Sequence, residues 1–129
     1  MWEFVERRAA TRHRTRLQCR LVFPEAETPS GTRWRPRPLV GYTRDLSASG
    51  LAAIVSDLGT AYGPLTDWDT ELTVELELPT GLIEIAVSPA RVVRLGREEE
   101  DRGFLVGRRI REINESLRPR YEQYLYALG

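Results

Sequence analysis

The stretch "ELTVELELPTGLIEIAV", residues 71–87, decides the fold class. Leu72, Val74, Leu76 and Leu78 recur at every second position, with Glu71, Thr73, Glu75 and Glu77 between them. Successive side chains of a strand point to opposite faces, so this period of two gives one apolar and one polar face. Pro79, Thr80 and Gly81 turn the chain. Ile83, Ile85 and Val87 then repeat the alternation on the way back. The segment reads as an antiparallel hairpin with one face in a core. Pro89 cannot donate to a ladder, so a bulge or an edge is expected within "LIEIAVSPARVVRL", 82–95.

The same pattern extends in both directions. "LQCRLVF", 17–23, places Leu17, Cys19, Leu21 and Phe23 on one face and predicts a half-buried strand. "PEAETPSGTRWRPRP", 24–38, reads as a long loop. "LVGYTRD", 39–45, and "LAAIV", 51–55, are strands joined by the turn in DLSASG. Residues 56–69 form another loop, and "GREEEDRG" an exposed one. "FLVGRRI", 104–110, is the last strand. "SLRPRYEQYLYALG" predicts a terminal helix capped by Ser116, with Leu117, Tyr121, Tyr124, Leu125 and Leu128 as its apolar stripe. About six short antiparallel strands and one helix suggest a closed or nearly closed barrel. Residues 1–16 lack clean periodicity and read as a flexible arm before a single domain of residues 17–129.

Composition narrows the function. The 129 residues are 41% hydrophobic, which suits a packed core rather than disorder. No apolar run approaches the ~20 residues of a membrane span, and the N-terminus carries no secretory pattern, so the cytosol is the expected compartment. One cysteine excludes an internal disulfide. Catalysis finds no support: His13 stands alone among arginines, and Cys19 falls on an inward face without a base. A metal site would need several such ligands together. The acidic pairs and runs, Asp67/Asp69 and Glu98–Asp101, read as solvated loops. An enzyme is therefore not expected, and neither is a cofactor.

Charge is the informative quantity. Nineteen basic residues balance nineteen acidic ones, and every basic residue is arginine. Residues 1–44 hold ten arginines against four acids, whereas residues 45–129 hold nine against fifteen, so the front is +6 and the rest −6. A basic arm suits an anionic partner. Within it stand Arg7, Arg8, Arg12, Arg14 and Arg16. A guanidinium is a flat fork that matches phosphate oxygens and the O6/N7 edge of guanine. Asp45 offers acceptors for the N1 and N2 donors of guanine. Ser47 can bond either way, and Gly50 permits a turn or a close approach.

The two features together are identified with a family. The chain resembles a PilZ domain, marked by RxxxR before the first strand and by [D/N]xSxxG downstream. Here these are R-A-A-T-R, Arg8 to Arg12, with Glu6-Arg7 leading in, and D-L-S-A-S-G, with Asp45, Ser47 and Gly50. "ARVVRL" followed by "FLVGRRI", with Gly107, looks like the family's closing strand pair. Arg12 to Arg16 is a second RxxxR, but Arg16 lies too close to the strand, so Arg8/Arg12 is the matching pair.

The resemblance implies a six-stranded antiparallel β-barrel that binds cyclic di-GMP. Arg8 and Arg12 would contact phosphates and guanine edges, with Arg7 adding a contact. Asp45, Ser47 and Gly50 would meet the ligand from the barrel, and Gly107 is counted with them. The arm would fold across the ligand, and an effector protein would read the changed surface. Two alternatives stand beside this reading. One is a small nucleic-acid-binding barrel using the arm and Trp34, which the acidic remainder of the chain disfavours. The other is a PilZ-like protein-docking module without nucleotide, which the intact motifs disfavour.

Overall fold

A computed structural model describes residues 11–27, 29–59, 70–96 and 102–129. Nine strands and one helix fall within them: β1 (His13–Arg14), β2 (Gln18–Val22), β3 (Ala26–Glu27), β4 (Arg33–Trp34), β5 (Leu39–Leu46), β6 (Gly50–Val55), β7 (Leu72–Leu78), β8 (Gly81–Arg94), β9 (Phe104–Ile113) and the helix α1 (Arg118–Leu128). Six of the strands close a circuit, β2–β7–β8–β9–β6–β5, and the β5–β2 pairing completes it. The molecule is a closed six-stranded antiparallel barrel with a C-terminal helix, as the alternation implied.

The opening hairpin forms as read. Leu78 pairs with Gly81 across the turn and Leu72 with Val87 at the far end. Gly81 has φ +130°, a backbone region that side chains rarely adopt. Leu72, Val74, Leu76 and Leu78 enter the barrel together with Ile83, Ile85 and Val87, and all seven are buried. Burial of each such side chain contributes about 1.5–3 kcal/mol. Cys19, Leu21 and Phe23 of the second strand region share this core, as expected.

The ladder of β8 shifts register between Pro89 and Arg91, which is the irregularity that proline predicts. A second shift, between Thr43 and Asp45 on β5, sets two residues, Arg44 and Asp45, against Ala52 on β6.

Three expectations need correction. The segment 24–38 is not plain loop: β3 and β4 pair within it, Ala26 with Trp34 and Glu27 with Arg33. The part of the arm from Thr11 to Arg16 is not free of the barrel. His13 pairs with Leu46 and Arg14 with Asp45, on the same edge of β5 that receives β2. Thr43, buried at 1% exposure, joins the two pairings. Its amide donates to the Leu17 carbonyl at 2.8 Å. Its hydroxyl donates to the Thr15 carbonyl at 2.6 Å and accepts from the Leu17 amide at 2.9 Å. The irregular spacing of residues 11–16 hid this contact, because Thr43 replaces the missing rungs with side-chain bonds.

The third correction concerns the start of α1. Leu117, not Ser116, is the N-cap, and no side chain caps the helix. Asn114 organises the preceding turn. Its carbonyl accepts from the Leu117 and Arg118 amides at 2.8 and 2.9 Å. Its side-chain oxygen accepts from the Ser116 amide and hydroxyl at 2.9 and 2.8 Å. Ser116 is thus spent on Asn114. Tyr121 and Leu125 bury the inner face of α1, with Leu117 and Tyr124 partly buried beside them.

Candidate functional site

An open cleft of about 920 Å³ lies where β1, β5, β6, β8 and β9 come together. Its lining includes six arginines, Arg12, Arg14, Arg44, Arg91, Arg108 and Arg109, and one carboxylate, Asp45. With Arg108 buried, five arginines against one carboxylate leave the concave surface net positive, which suits an anion.

The arm and the turn meet here. Strand alternation divides the segment 12–16. Arg12 and Arg14 line the cleft. On the other side the Thr15 hydroxyl and the Tyr124 hydroxyl of α1 lie 2.8 Å apart. Arg12 Nη1 donates to Asp45 Oδ1 at 2.5 Å. The predicted arginine and the predicted aspartate, 33 residues apart, are therefore in contact. Arg16 goes elsewhere: its guanidinium stacks over the Tyr42 ring, 3.8 Å from the centroid. Arg7 and Arg8 lie outside the described residues.

The turn is built from its own side chains. Ser47 is 1% exposed. Its hydroxyl accepts from the Gly50 amide at 3.0 Å and the Ser49 amide at 3.3 Å, and donates to the Gly50 carbonyl at 3.1 Å. The Ser47 amide donates to that same carbonyl at 2.9 Å. The hydroxyl shapes the turn and sits beneath the cleft rather than reaching into it. Gly50 is not a positive-φ glycine. A Cβ there would stand 2.9 Å from the Arg108 carbonyl, so the residue lets β6 run close against β9. Helix α1 supports the turn from below: the Tyr121 hydroxyl donates to the Ser47 carbonyl at 2.7 Å, and burial pushes the ionisation of that phenol upward.

Gly107 also lines the cleft, paired with Ala52 on one side and Arg91 on the other. Gly50, Ala52 and Gly107 form a floor almost without side chains. Arg108 is buried at 3% exposure, and desolvation pushes its pKa down to about 10.

Sequence reasoning brought forward Arg12, Asp45, Ser47, Gly50 and Gly107, and the fold gathers all five at this cleft. It passed over Arg44, Arg91, Arg108, Arg109 and the supporting Tyr121. Arg44 could have been suspected from its place beside Asp45. The others depend on strand register, which spacing does not reveal. Among the described residues, no group of three or more His, Cys, Asp or Glu could hold a metal ion. No described helix is long and apolar enough to cross a membrane.

The PilZ domain family model matches residues 6–127. The chain belongs to the PilZ domain family. No curated protein matches it in sequence. Among solved structures this PilZ domain is similar to the inhibitor of motility MotI/DgrA of Bacillus subtilis, at 18% identity and TM-score 0.64, over 94% of this chain and 50% of that one. It is similar to the PilZ domain of YcgR from Escherichia coli, solved with c-di-GMP, at 15% identity and TM-score 0.58, over 95% of this chain and 91% of that one. It is also similar to the K. pneumonia MrkH–c-di-GMP complex, at 19% identity and TM-score 0.56, over 94% of this chain and 51% of that one. The chain thus spans about half the length of MotI and MrkH. At these identities the likeness is one of fold.

Proposed function

We propose that this PilZ domain is a cytoplasmic receptor for cyclic di-GMP, not an enzyme, and passes its occupancy to an effector protein through a changed surface. The observation that carries the reading is the Arg12–Asp45 ion pair at the rim of the cleft. It sets Arg12, the second arginine of R-A-A-T-R, against Asp45 of D-L-S-A-S-G, among five further arginines, which supports the reading. YcgR and MrkH, which share the fold, were each solved with c-di-GMP.

The chemistry follows from the residues. The Arg12 side chain is 60% exposed and that of Asp45 18%. Ion pairs open to solvent contribute only about 0–1 kcal/mol, so a ligand can displace this one at little cost. Asp45 then accepts from the N1 and N2 donors of a guanine, while Arg12 turns its fork to a phosphate or to the guanine O6/N7 edge. Arg8 and Arg7 join from the same arm. Ser47 and Gly50 hold Asp45 at its height, and Gly107 keeps the floor flat beneath the ligand. Ordering the arm costs entropy, so the contacts must exceed that cost.

Isothermal titration with cyclic di-GMP tests the reading, with GTP and a short single-stranded oligonucleotide as controls. Saturable binding of cyclic di-GMP alone is expected. Arg12→Ala should weaken it roughly ten- to a hundredfold, the loss of one charge-assisted contact. Arg16→Ala should matter less, since its guanidinium rests on Tyr42. Selective binding of the oligonucleotide instead would mean a nucleic-acid barrel, and no binding at all would mean a docking module.

A further inference from the structure

The arginines of the cleft stand on two walls. Arg12, Arg14 and Arg44 come from β1, β5 and the residue before β1, whereas Arg91 comes from β8 and Arg109 from β9. Of these arginines the motifs account for Arg12 alone, on the first wall. The bare floor of Gly50, Ala52 and Gly107 separates them, because Ala52 pairs with Gly107 and Gly50 with Arg109.

The second wall is built with a specific device. Gly107 pairs with Arg91, and a Cβ at 107 would stand 3.6 Å from Arg91 Cγ. The stem of Arg91 therefore lies against the backbone of residue 107, which a larger side chain would fill. The register shift between Pro89 and Arg91 changes which residues of β8 face outward at this point. Such bulges re-aim side chains. A glycine platform and a bulge together set the stem of Arg91 at the cleft, whose lining it joins.

We propose that Arg91, with Arg109 beside it, forms a second anion subsite that grips a phosphate of the ligand from the side opposite the arm, and that Gly107 positions Arg91 for this. The assignment rests on the receptor reading above. It adds to the place of Gly107 on the floor the role of making room for an arginine. A cyclic dinucleotide carries two phosphates on opposite sides of its ring, which two facing walls can hold at once.

Titration of cyclic di-GMP against single variants tests it. Arg91→Ala should weaken binding about tenfold or more with an unchanged thermal midpoint. Gly107→Leu should weaken it similarly by displacing Arg91. Gly107→Ala should weaken binding less than Gly107→Leu does, because its Cβ would make only an ordinary contact with Arg91. Arg94→Ala, further along β8 and outside the cleft lining, should be silent. If the unaltered chain binds and Arg12→Ala weakens it while Arg91→Ala does not, the second subsite is wrong and the receptor reading stands. If Arg91→Ala weakens binding but Gly107→Leu does not, the positioning role of Gly107 is wrong. If the unaltered chain does not bind cyclic di-GMP, the receptor reading fails and this subsite with it.

Discussion

The residues of the D-x-S-x-x-G turn divide the labour in a way their types alone do not disclose. Asp45 faces the cleft and holds Arg12, whereas Ser47 is turned under the loop and spent on the Ser49 and Gly50 backbone. Ser47→Ala should therefore lower stability by about 1–3 kcal/mol, because it leaves buried backbone groups without their partner. Gly50→Ala should destabilise by a similar amount, about 1–3 kcal/mol, since its Cβ would meet the Arg108 carbonyl at 2.9 Å. Urea unfolding of both variants measures this, and unchanged midpoints would refute the structural roles. That Arg12 and Asp45 lie together at the cleft was legible from the two motif spacings, whereas the arginines of β8 and β9 beside them were not. What each residue of the turn does was not legible either. A serine that faces a ligand and one that locks a turn have the same sequence signature, and only burial separates them.

At the scale of elements, α1 is tied to the site at two points. Tyr121 donates to the Ser47 carbonyl under the turn, and Tyr124 meets Thr15 on the arm. Tyr121→Phe should cost about 1–2 kcal/mol and loosen the turn, visible as faster amide exchange at Gly50. Equal exchange rates in the two proteins would show that the helix does not brace the turn. The hairpin β7–β8 was legible because its periodicity is strict over many residues; of the stripe read on α1, Tyr121 and Leu125 are buried and Leu117 and Tyr124 partly so, while Leu128, in the last turn, is exposed. The pairing of β1 was not legible. Two residues carry no period, and their partners on β5, Leu46 and Asp45, are distant in sequence, as is Thr43, 28 positions from the Thr15 it binds. The cap of α1 was misplaced because Ser116 and Asn114 both suit such a position, and the Asn114 carbonyl receives the first helical amides.

At the scale of the whole molecule, three buried groups among the described residues of the barrel and its helix have displaced ionisation. Burial pushes the Cys19 thiol from 9.0 up to about 12 and raises Tyr121 as well. The folded state holds both protons more tightly than the unfolded chain does. That stability is complete below about pH 9 and is lost as pH rises toward 12. Arg108 works in the opposite sense, because burial lowers its pKa to about 10, so its cost is full below pH 10 and relaxes above it. Urea midpoints across pH 8–11 should fall for the native sequence, and Cys19→Ala should flatten that fall by at most about 1.4 kcal/mol per pH unit. The same thiol should resist disulfide reagents until the barrel opens, so that labelling follows unfolding. Closure also has a mechanical consequence at Thr43. By clasping Thr15 and Leu17 together, that residue acts as a pivot between a lever, the segment that carries Arg12, and a fixed hoop of strands. The clasp depends on one hydroxyl oxygen: Thr43→Val would leave the Thr15 carbonyl and the Leu17 amide without it, at the joint between the strand that closes the barrel and the segment that presents Arg12.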